Sequence, residues 1–201
     1  MDLALEERLV DLLARREYDA AATEALRGYG PGVYRFLCAR MGDVGRADDA
    51  FAQLGEDLWR GLPTFRGASS FATWMFTLGR NAAHRIERSP YEQRRRRTGD
   101  SKLAALAEEI RTETAPYLRT DVKQRFRALR ESLTPDERAL LHLRVDADLA
   151  WDEIARIVEG DEALSDLPLR RASTRLRKRY SELCKQLRER AKAAGILGDD
   201  Q

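Results

Sequence analysis

The sequence predicts an all-α fold. Leu, Ala, Glu and Arg dominate the 201 residues, whereas β-branched residues are sparse. No alternation of polar and apolar residues is long enough to indicate a strand, and apolar residues instead recur at intervals of three and four, as on one side of a helix. A chain of this length can hold one large or two small domains. We expect two helical domains joined by a flexible linker, with a helix-turn-helix in the second.

Composition and charge exclude several classes of protein. Charged residues make up 35% of the chain, yet the formal net charge is only +2, so the overall balance does not indicate a partner. The N-terminus lacks a basic segment followed by an apolar core, and no stretch approaches the length of a membrane span. We therefore expect a cytoplasmic protein without membrane insertion.

Metal, redox and catalytic chemistry are not indicated either. Cys38 and Cys184 are far apart and lie outside any cluster of cysteine and histidine. The chain has only two histidines, and the motifs of metalloproteases, α/β-hydrolases and P-loop proteins are missing. We therefore expect no metal site, no cofactor and no enzymatic activity.

Three helices are expected in the first part of the chain. The spacing of apolar residues predicts one over 3–16 and a second over 19–28. We expect the segment GYGPG to interrupt this second helix through Pro31, after which it resumes as VYRFLCARMG. The third is expected over 46–61.

The helix at 46–61 has two distinct sides. Its apolar stripe comprises Ala47, Phe51, Leu54, Leu58 and Leu62. The opposite side is mostly acidic and comprises Asp49, Gln53, Glu56, Asp57 and Arg60. Composition alone indicates that this second side is a solvated surface.

The most informative segment reads LPTFRGASSFATWMFTLGRNAAHRIER. A turn at Pro63 and Gly67 precedes Ser69 and Ser70, either of which is a suitable N-cap for a helix over 71–88. The apolar side of this helix comprises Phe71, Trp74, Met75, Leu78, Ala82 and Ile86. Its polar side comprises Thr73, Thr77, Arg80, Asn81, His84 and Arg88. That polar side has cationic groups and no carboxylate, so it suits a polyanion, with a solvated surface as the alternative.

The segment after this helix is expected to connect two domains. Ser89 and Pro90 should end or bend the helix because the proline ring clashes with the preceding turn. The four arginines at 94–97 repel one another and indicate either a solvated linker or an arm that contacts phosphates. A short helix is expected at 102–111. The expected boundaries are 1–98 for the first domain, 99–119 for the linker and 120–201 for the second domain.

Four helices are expected in the second domain. Apolar residues step by four, three and four between 122 and 133, which predicts the first. Thr134 and Glu137 form a capping box for the second, which is expected to reach about residue 145. Apolar residues at 151–158 predict the third, and the last is expected over 166–194.

The last helix combines an apolar stripe with a basic N-terminal half. The stripe comprises Leu169, Ala172, Leu176, Tyr180, Leu183 and Leu187. The basic residues are Arg170, Arg171, Arg175, Arg177, Lys178 and Arg179. A short helix, a connection and a basic helix form a helix-turn-helix candidate, whose second helix would enter the major groove. An ordinary solvated helix end is the alternative.

Two strings resemble conserved regions of one family, the bacterial extracytoplasmic-function (ECF) sigma factors. The turn FRG, followed by F-x-T-W and R-N-x-A, resembles conserved region 2. The string LTPDERALLHLRVDADLAWDEIARIV resembles conserved region 4, in the family's order. The resemblance implies a factor that binds core RNA polymerase, recognises a −35-like element of promoter DNA with the second domain and melts a −10-like element with the first. It leaves open whether an anti-sigma factor is a further partner.

The resemblance also implies functional residues in the first domain. In the family, a base of the melted strand enters a pocket formed by the loop before the long helix. The matching −10 candidates are Phe65, Arg66, Ser69, Thr73, Arg80, Asn81, His84 and Arg88. Phe71 and Trp74 lie on the apolar side, so we expect them in the core. The helix at 46–61 corresponds to one that docks on the largest polymerase subunit, and the docking candidates are Asp49, Gln53, Glu56 and Asp57.

The −35 candidates lie on the basic helix of the second domain. Arginine, serine and threonine near the N-terminus of a recognition helix suit base edges and the adjacent phosphates. The candidates are Arg171, Ser173, Thr174, Arg175 and Lys178.

Two features depart from the family pattern. Ala52 and Gln53 stand where the family has glutamine and glutamate, and Gly55 replaces a buried aromatic residue. The connection EGDEALSD is longer than the usual turn and brings carboxylates near the expected DNA surface, where they would oppose binding unless they point away. The alternative function is therefore a sigma-like interaction module that binds polymerase or a regulator without initiating transcription.

Overall fold

The computed structural model describes residues 2–88, 101–114 and 132–193, and these residues confirm the all-α prediction. They form eight α-helices and no strand: α1 Leu3–Ala14, α2 Tyr18–Met41, α3 Val44–Gly61, α4 Phe71–Arg88, α5 Ser101–Thr114, α6 Pro135–Leu141, α7 Trp151–Glu159 and α8 Asp166–Ala193. We refer to α1–α5 as the N-terminal half and to α6–α8 as the C-terminal half. Within the described residues, no helix is both long and apolar enough to cross a membrane.

Side-chain caps begin several of these helices, and α3 begins at Val44, two residues before the expected start. Asp43 accepts a hydrogen bond from the backbone N–H of Arg46 at the start of α3, at 2.7 Å. The predicted capping box of α6 is present, with Thr134 and Glu137 each accepting from the other's backbone N–H. Each cap satisfies N–H groups that have no partner within the helix, and so fixes where the helix begins.

The structure corrects the expected break at GYGPG, because α2 continues through Pro31 without interruption. The glycines beside the proline lie where neighbouring helices approach most closely. A Cβ on Gly28 would collide with the side chain of Leu5, and one on Gly30 would stand 3.0 Å from Ile110. Packing against α1 and α5 therefore offsets the cost of about 3 kcal/mol for a proline inside a helix.

Helix α2 lies at the centre of the N-terminal half and contacts α1, α3, α4 and α5. Edge-to-face aromatic pairs join it to its neighbours: Tyr34 packs on Phe51 of α3 at 5.3 Å between ring centroids, and Phe36 packs on Phe76 of α4 at 5.7 Å. The predicted apolar stripe of α3 is buried throughout. These contacts fix the position of α4, which carries the −10 candidates.

Helix α5 lies within the segment predicted to be a linker. It contacts α2 and α3, and its residues Ala107 and Ile110 are buried among them. The domain boundaries and the flexible linker stay predictions. The expected helix end at Pro90, the arginines at 94–97 and most of the helix expected at 122–133 lie outside the described residues.

Helix α6 is shorter than predicted. Regular α-helix ends at Leu141, and a π-type turn, His142–Asp146, follows. His142 is buried and its Nδ1 lies 2.9 Å from a carboxylate oxygen of Asp146, while Val145 remains 60% exposed. Because the wider turn rotates the chain, the apolar stripe does not extend to Val145.

The two halves pack against each other. Helix α6 contacts α2, and α7 contacts both α4 and α8. Buried apolar residues of both halves form one continuous cluster, which includes Leu37 of α2, Leu140 of α6 and Ile157 of α7. This arrangement places α7 against the helix that carries the −10 candidates.

Two glycine substitutions test how closely the helices pack. A Cβ on Gly79 of α4 would stand 2.7 Å from Val33, whereas one on Gly55 of α3 would meet no atom within 4 Å. We expect Gly79→Ala to lower the free energy of unfolding by about 1–2 kcal/mol, because overpacking outweighs the better helix propensity of alanine. We expect Gly55→Ala, the matched control, to raise it by up to about 1 kcal/mol.

Urea denaturation followed by circular dichroism measures both changes. Equal stability of the two variants would contradict the close approach of α2 and α4 at Gly79.

Candidate nucleic-acid interface

The first turn of α4 is capped by two separate elements. Ser70 accepts a hydrogen bond from the backbone N–H of Thr73 at 3.1 Å, which confirms the predicted serine cap. The carboxylate of Glu6 in α1 accepts from the backbone N–H groups of Phe71 at 2.8 Å and of Ala72 at 3.0 Å. Tyr29 donates a further bond to Glu6 at 2.6 Å. The negative charge of Glu6 at the positive end of the helix dipole stabilises this turn.

Aromatic packing holds the loop before α4. Phe65 packs against Phe71 and Trp74 with tilted rings, at 5.0 and 4.8 Å between ring centroids. Phe71 and Trp74 are buried, as expected for core residues, while Phe65 is half-buried. Arg66 is exposed, and Gly67 adopts a positive φ of 67° that favours glycine. The loop therefore presents one face of Phe65 and the Arg66 side chain near the start of α4.

The polar side of α4 is covered at its N-terminal end. Thr73 is 0% exposed, although the periodicity of α4 places it on the polar side. Its hydroxyl donates to Glu153 of α7 at 3.3 Å, and the hydroxyl of Ser70 lies 3.4 Å from the same carboxylate oxygen. Ser69 is half-buried and donates to the carbonyl oxygen of Ser70 at 3.2 Å. The first turn of the candidate interface thus contacts the C-terminal half.

The middle of the polar side faces the end of α7. Arg80 donates to the side-chain oxygen of Asn81 at 3.1 Å. A Cβ on Gly160 would stand 2.5 Å from the Arg80 guanidinium and 3.0 Å from the Asn81 oxygen, so the glycine backbone lies directly against both side chains. Burial and then the nearby charge of Arg40 lower the pKa of Arg80. Arg80 is therefore a cation held partly out of solvent.

His84 lies in a network centred on Arg40, a buried residue near the end of α2. Arg40 donates to Asp136 of α6 at 2.7 Å and to Glu87 of α4 at 3.1 Å, and its Nη2 lies 3.4 Å from His84 Nε2. The hydrogen bond from Arg40 lowers the pKa of Asp136. Arg40, Arg80, His84 and Asp136 line a cavity of about 120 Å³ between the two halves. Arg40 was missed at the sequence level, and its only signal was a charge inside an otherwise apolar helix.

Five of the −10 candidates lie on α4, and Phe65, Arg66 and Ser69 lie in the loop before it. Arg66 and Arg88 are exposed, while Thr73, Arg80, Asn81 and His84 contact the C-terminal half or the Arg40 network. Cationic and hydrogen-bonding groups of this kind are chemically suited to a nucleic-acid strand.

The −35 candidates lie on the N-terminal half of α8. Four of them, Arg171, Thr174, Arg175 and Lys178, are exposed. Ser173 is buried instead and donates to Asp152 of α7 at 2.5 Å, so it joins α7 to α8. Arg175 forms an ion pair with Glu159. The exposed residues form a basic surface on one side of α8, with Arg170 and Arg177 beside them.

The docking candidates lie on the acidic side of α3, and several are already paired. Asp57 forms an ion pair with Arg85 of α4 and accepts from Gln53 at 3.2 Å, while Glu56 pairs with Arg60 at 3.1 Å. All four candidates are half-buried. Trp59 is 37% exposed on the same helix. An exposed aromatic beside acidic groups is a surface composition typical of protein contacts.

A segment in the first half of the sequence matches a known family. Residues 25–97 match the family model of sigma-70 region 2. The matched segment contains α3 and α4 in full and begins within α2. The match covers about a third of the chain and shows that this segment is similar to sigma-70 region 2. It does not extend to α6–α8, and no curated protein matches the sequence.

The ionisation of His84 reports on the covered side of α4. Burial, then the charges of Arg80 and Arg40, lower the pKa of His84, while Glu87 and Asp136 act in the opposite direction. We therefore expect a value below the usual value of about 6.5. Because the unfolded chain takes up this proton first, His84 should reduce stability as the pH falls from about 6.5 towards its lowered pKa.

NMR titration of the histidine ring protons measures this pKa, with His84→Gln to assign the signal. We expect Arg80→Gln to raise the pKa of His84 and Arg88→Gln, the control on the same helix, to leave it unchanged. A pKa above 6.5 in the parent protein would contradict the described surroundings of His84.

Proposed function

We propose that this protein is an RNA polymerase sigma factor of the ECF type, which binds core polymerase and directs it to promoters. The observation that carries the proposal is the match of residues 25–97 to sigma-70 region 2. A sigma factor positions polymerase and DNA and makes or breaks no covalent bond, so the proposed role is not enzymatic. The match does not favour the alternative of an interaction module that cannot initiate transcription.

In the proposed mechanism, α4 and the loop before it capture the melted strand of a −10-like element. Phe65 and Arg66 form the loop side of the surface, and Arg80, Asn81 and His84 form its helical side. Stacking on an aromatic ring stabilises a base by about 1–3 kcal/mol, and cations beside it bind the phosphates. The rigid capping of α4 by Glu6 supports this role, since it fixes the loop relative to the helix.

Helix α8 is the proposed reader of a −35-like element. Its exposed residues Arg171, Thr174, Arg175 and Lys178 have the donors that suit base edges and phosphates in the major groove. Together α7, the connection after it and α8 would form the helix-turn-helix. Ser173 supports this unit by joining α8 to Asp152 rather than by reading DNA directly.

Polymerase docking is proposed for the acidic side of α3. Asp49, Gln53, Glu56 and Asp57 line this side, and the exposed Trp59 supplies apolar area. An aromatic residue surrounded by polar groups is a frequent energetic centre of protein interfaces.

Transcription in vitro is the direct test. The purified protein is mixed with bacterial core polymerase and fragmented genomic DNA of the host, and the 5′ ends of the transcripts are mapped. Defined start sites with a shared upstream motif would establish initiation and identify the promoter. Polymerase binding without transcripts would favour the interaction module, and absence of binding would contradict the docking assignment.

Charge reversal tests the two DNA-reading surfaces separately. We expect Arg80→Glu and Arg175→Glu each to reduce the transcript yield at least about tenfold, equivalent to about 1.4 kcal/mol, because a carboxylate repels the phosphates. Binding to core polymerase should be retained. The control is Lys185→Glu, the same change at an exposed residue further along α8, which should transcribe normally. Normal transcription by all three variants would contradict the DNA-reading assignments.

A further inference from the structure

A cavity of about 120 Å³ lies where helices of the two halves meet. Its polar wall is formed by Arg40 of α2, Arg80 and His84 of α4, Asp136 of α6 and Arg179 of α8. Apolar side chains form the rest of the wall, among them those of Phe36, Leu140, Leu143, Ile157, Val158 and Leu176. Cationic groups and an apolar surface therefore border the same space.

Positive charge exceeds negative charge around this cavity. Arg40 is paired with two carboxylates, Asp136 at 2.7 Å and Glu87 at 3.1 Å. Within residues 2–88, 101–114 and 132–193, neither Arg80 nor Arg179 forms an ion pair with a carboxylate. These two arginines are therefore cations that can bind an anion from outside the chain.

The pKa of His84 shows which sign of charge dominates at the wall. Burial lowers this pKa first, and the charges of Arg80 and Arg40 lower it next. The carboxylates of Glu87 and Asp136 act in the opposite direction, each with a smaller effect. The local potential is therefore positive, which favours an anion over a neutral molecule.

The guanidinium of Arg40 has a hydrogen-bond donor that the described chain does not use. Arg40 is 4% exposed, and its Nε–H is buried without a partner among the described residues. Unpaired buried donors are costly and are rare in folded proteins. A small movement of the guanidinium towards an anion in the cavity would give this donor an acceptor.

The size of the cavity limits the ligand to a few heavy atoms. An apolar cavity of about 150 Å³ holds one benzene molecule. The space of about 120 Å³ between the halves therefore suits a molecule of that size or smaller. Guanidinium groups bind a carboxylate through charge-assisted hydrogen bonds, and an apolar wall favours a hydrocarbon group. A carboxylic acid with a short hydrocarbon chain has both parts and fits the volume.

We propose that this cavity is a binding site for a small organic carboxylate. Arg40, Arg80 and Arg179 bind its charged end, and its hydrocarbon part lies on the apolar wall. The ligand would share Arg80 and His84 with the proposed −10 surface. The inference does not rest on the proposed function, because its test uses neither DNA nor polymerase.

Three ligands separate the contributions of charge and hydrocarbon. Butyrate has both parts, formate has the same carboxylate without the chain, and butyramide is a neutral molecule of nearly the same shape as butyrate. We expect butyrate to bind with a dissociation constant of about 1 mM. Formate should bind at least about tenfold more weakly, because each buried CH₂ group is worth about fourfold in affinity. Butyramide should also bind at least about tenfold more weakly, because it lacks the charge.

Two variants remove the cations that have no carboxylate partner. We expect Arg80→Gln and Arg179→Gln each to weaken butyrate binding at least about threefold. Arg179 is exposed, so Arg179→Gln should fold normally. The matched control is Arg188→Gln, which removes the same charge from an exposed position of α8. This position lies about 13 Å further along the helix axis, beyond the screening length of about 8 Å in 0.15 M salt. It should bind butyrate like the parent protein.

Binding is measured on the full-length chain at pH 7 in 0.15 M salt. Isothermal titration calorimetry gives the affinities. NMR locates the site through the ring-proton signals of His84, which His84→Gln assigns. We expect butyrate to shift these signals along a saturating curve with the same dissociation constant as the calorimetry.

Each outcome supports the carboxylate site or overturns it. Binding that requires both charge and chain, that moves the His84 signals and that weakens in both arginine variants supports the site. Equal affinity for butyrate and butyramide overturns the anionic assignment, and equal affinity for butyrate and formate overturns the role of the apolar wall. Parent-like binding by both arginine variants places any bound butyrate elsewhere and overturns the inference. Failure to saturate at 20-fold the expected dissociation constant, about 20 mM, overturns it as well. None of these failures bears on the proposed function, which transcription tests separately.

Discussion

The rest of the structure depends on how the other helices cover the two chemically different sides of α4. Its apolar side packs on α2 and α3, which is possible because Gly79 lets α2 approach closely. Its polar side cannot be buried without hydrogen-bond partners, since an unsatisfied buried hydroxyl costs about 1–3 kcal/mol. The hydroxyl of Thr73 accepts from Ser70 at 2.9 Å and donates to Glu153 of α7 at 3.3 Å, so both halves supply its partners. The contact with Glu153 is one of those that join α7 to α4.

The contacts between the two halves depend on where individual charges lie and not on the net charge of the chain. The chain carries 36 basic and 34 acidic residues, so specific ion pairs beside the shared apolar cluster, rather than an overall field, act between the halves. Arg40 is the clearest case, because a buried guanidinium requires carboxylates and receives one from each half, Glu87 and Asp136. A contact of this kind is specific in geometry, because both carboxylates must meet the same guanidinium.

The proposed function assigns DNA binding to cations that already lie near a carboxylate of the chain. Arg80 and Arg175 would bind phosphates in the proposed function. In this structure the charge of Glu159 acts on Arg80, and Arg175 forms an ion pair with Glu159. A carboxylate resembles a phosphate in its negative charge and in accepting hydrogen bonds, so the same arginines can bind either group. Within the acidic connection, Glu159 pairs with Arg175 of the chain itself.

The sequence by itself determined the helices and their sides, because caps and apolar spacing act within one or two turns: the capping box at Thr134 and the extent of α4 were predicted correctly. The tertiary structure alone decided that α2 continues through Pro31, that Glu6 caps a helix beginning 65 residues later at Phe71, and that Thr73 is buried. Each of these depends on which helices meet across the fold. Local periodicity places a residue on one side of a helix, but only packing determines whether water or another helix covers that side.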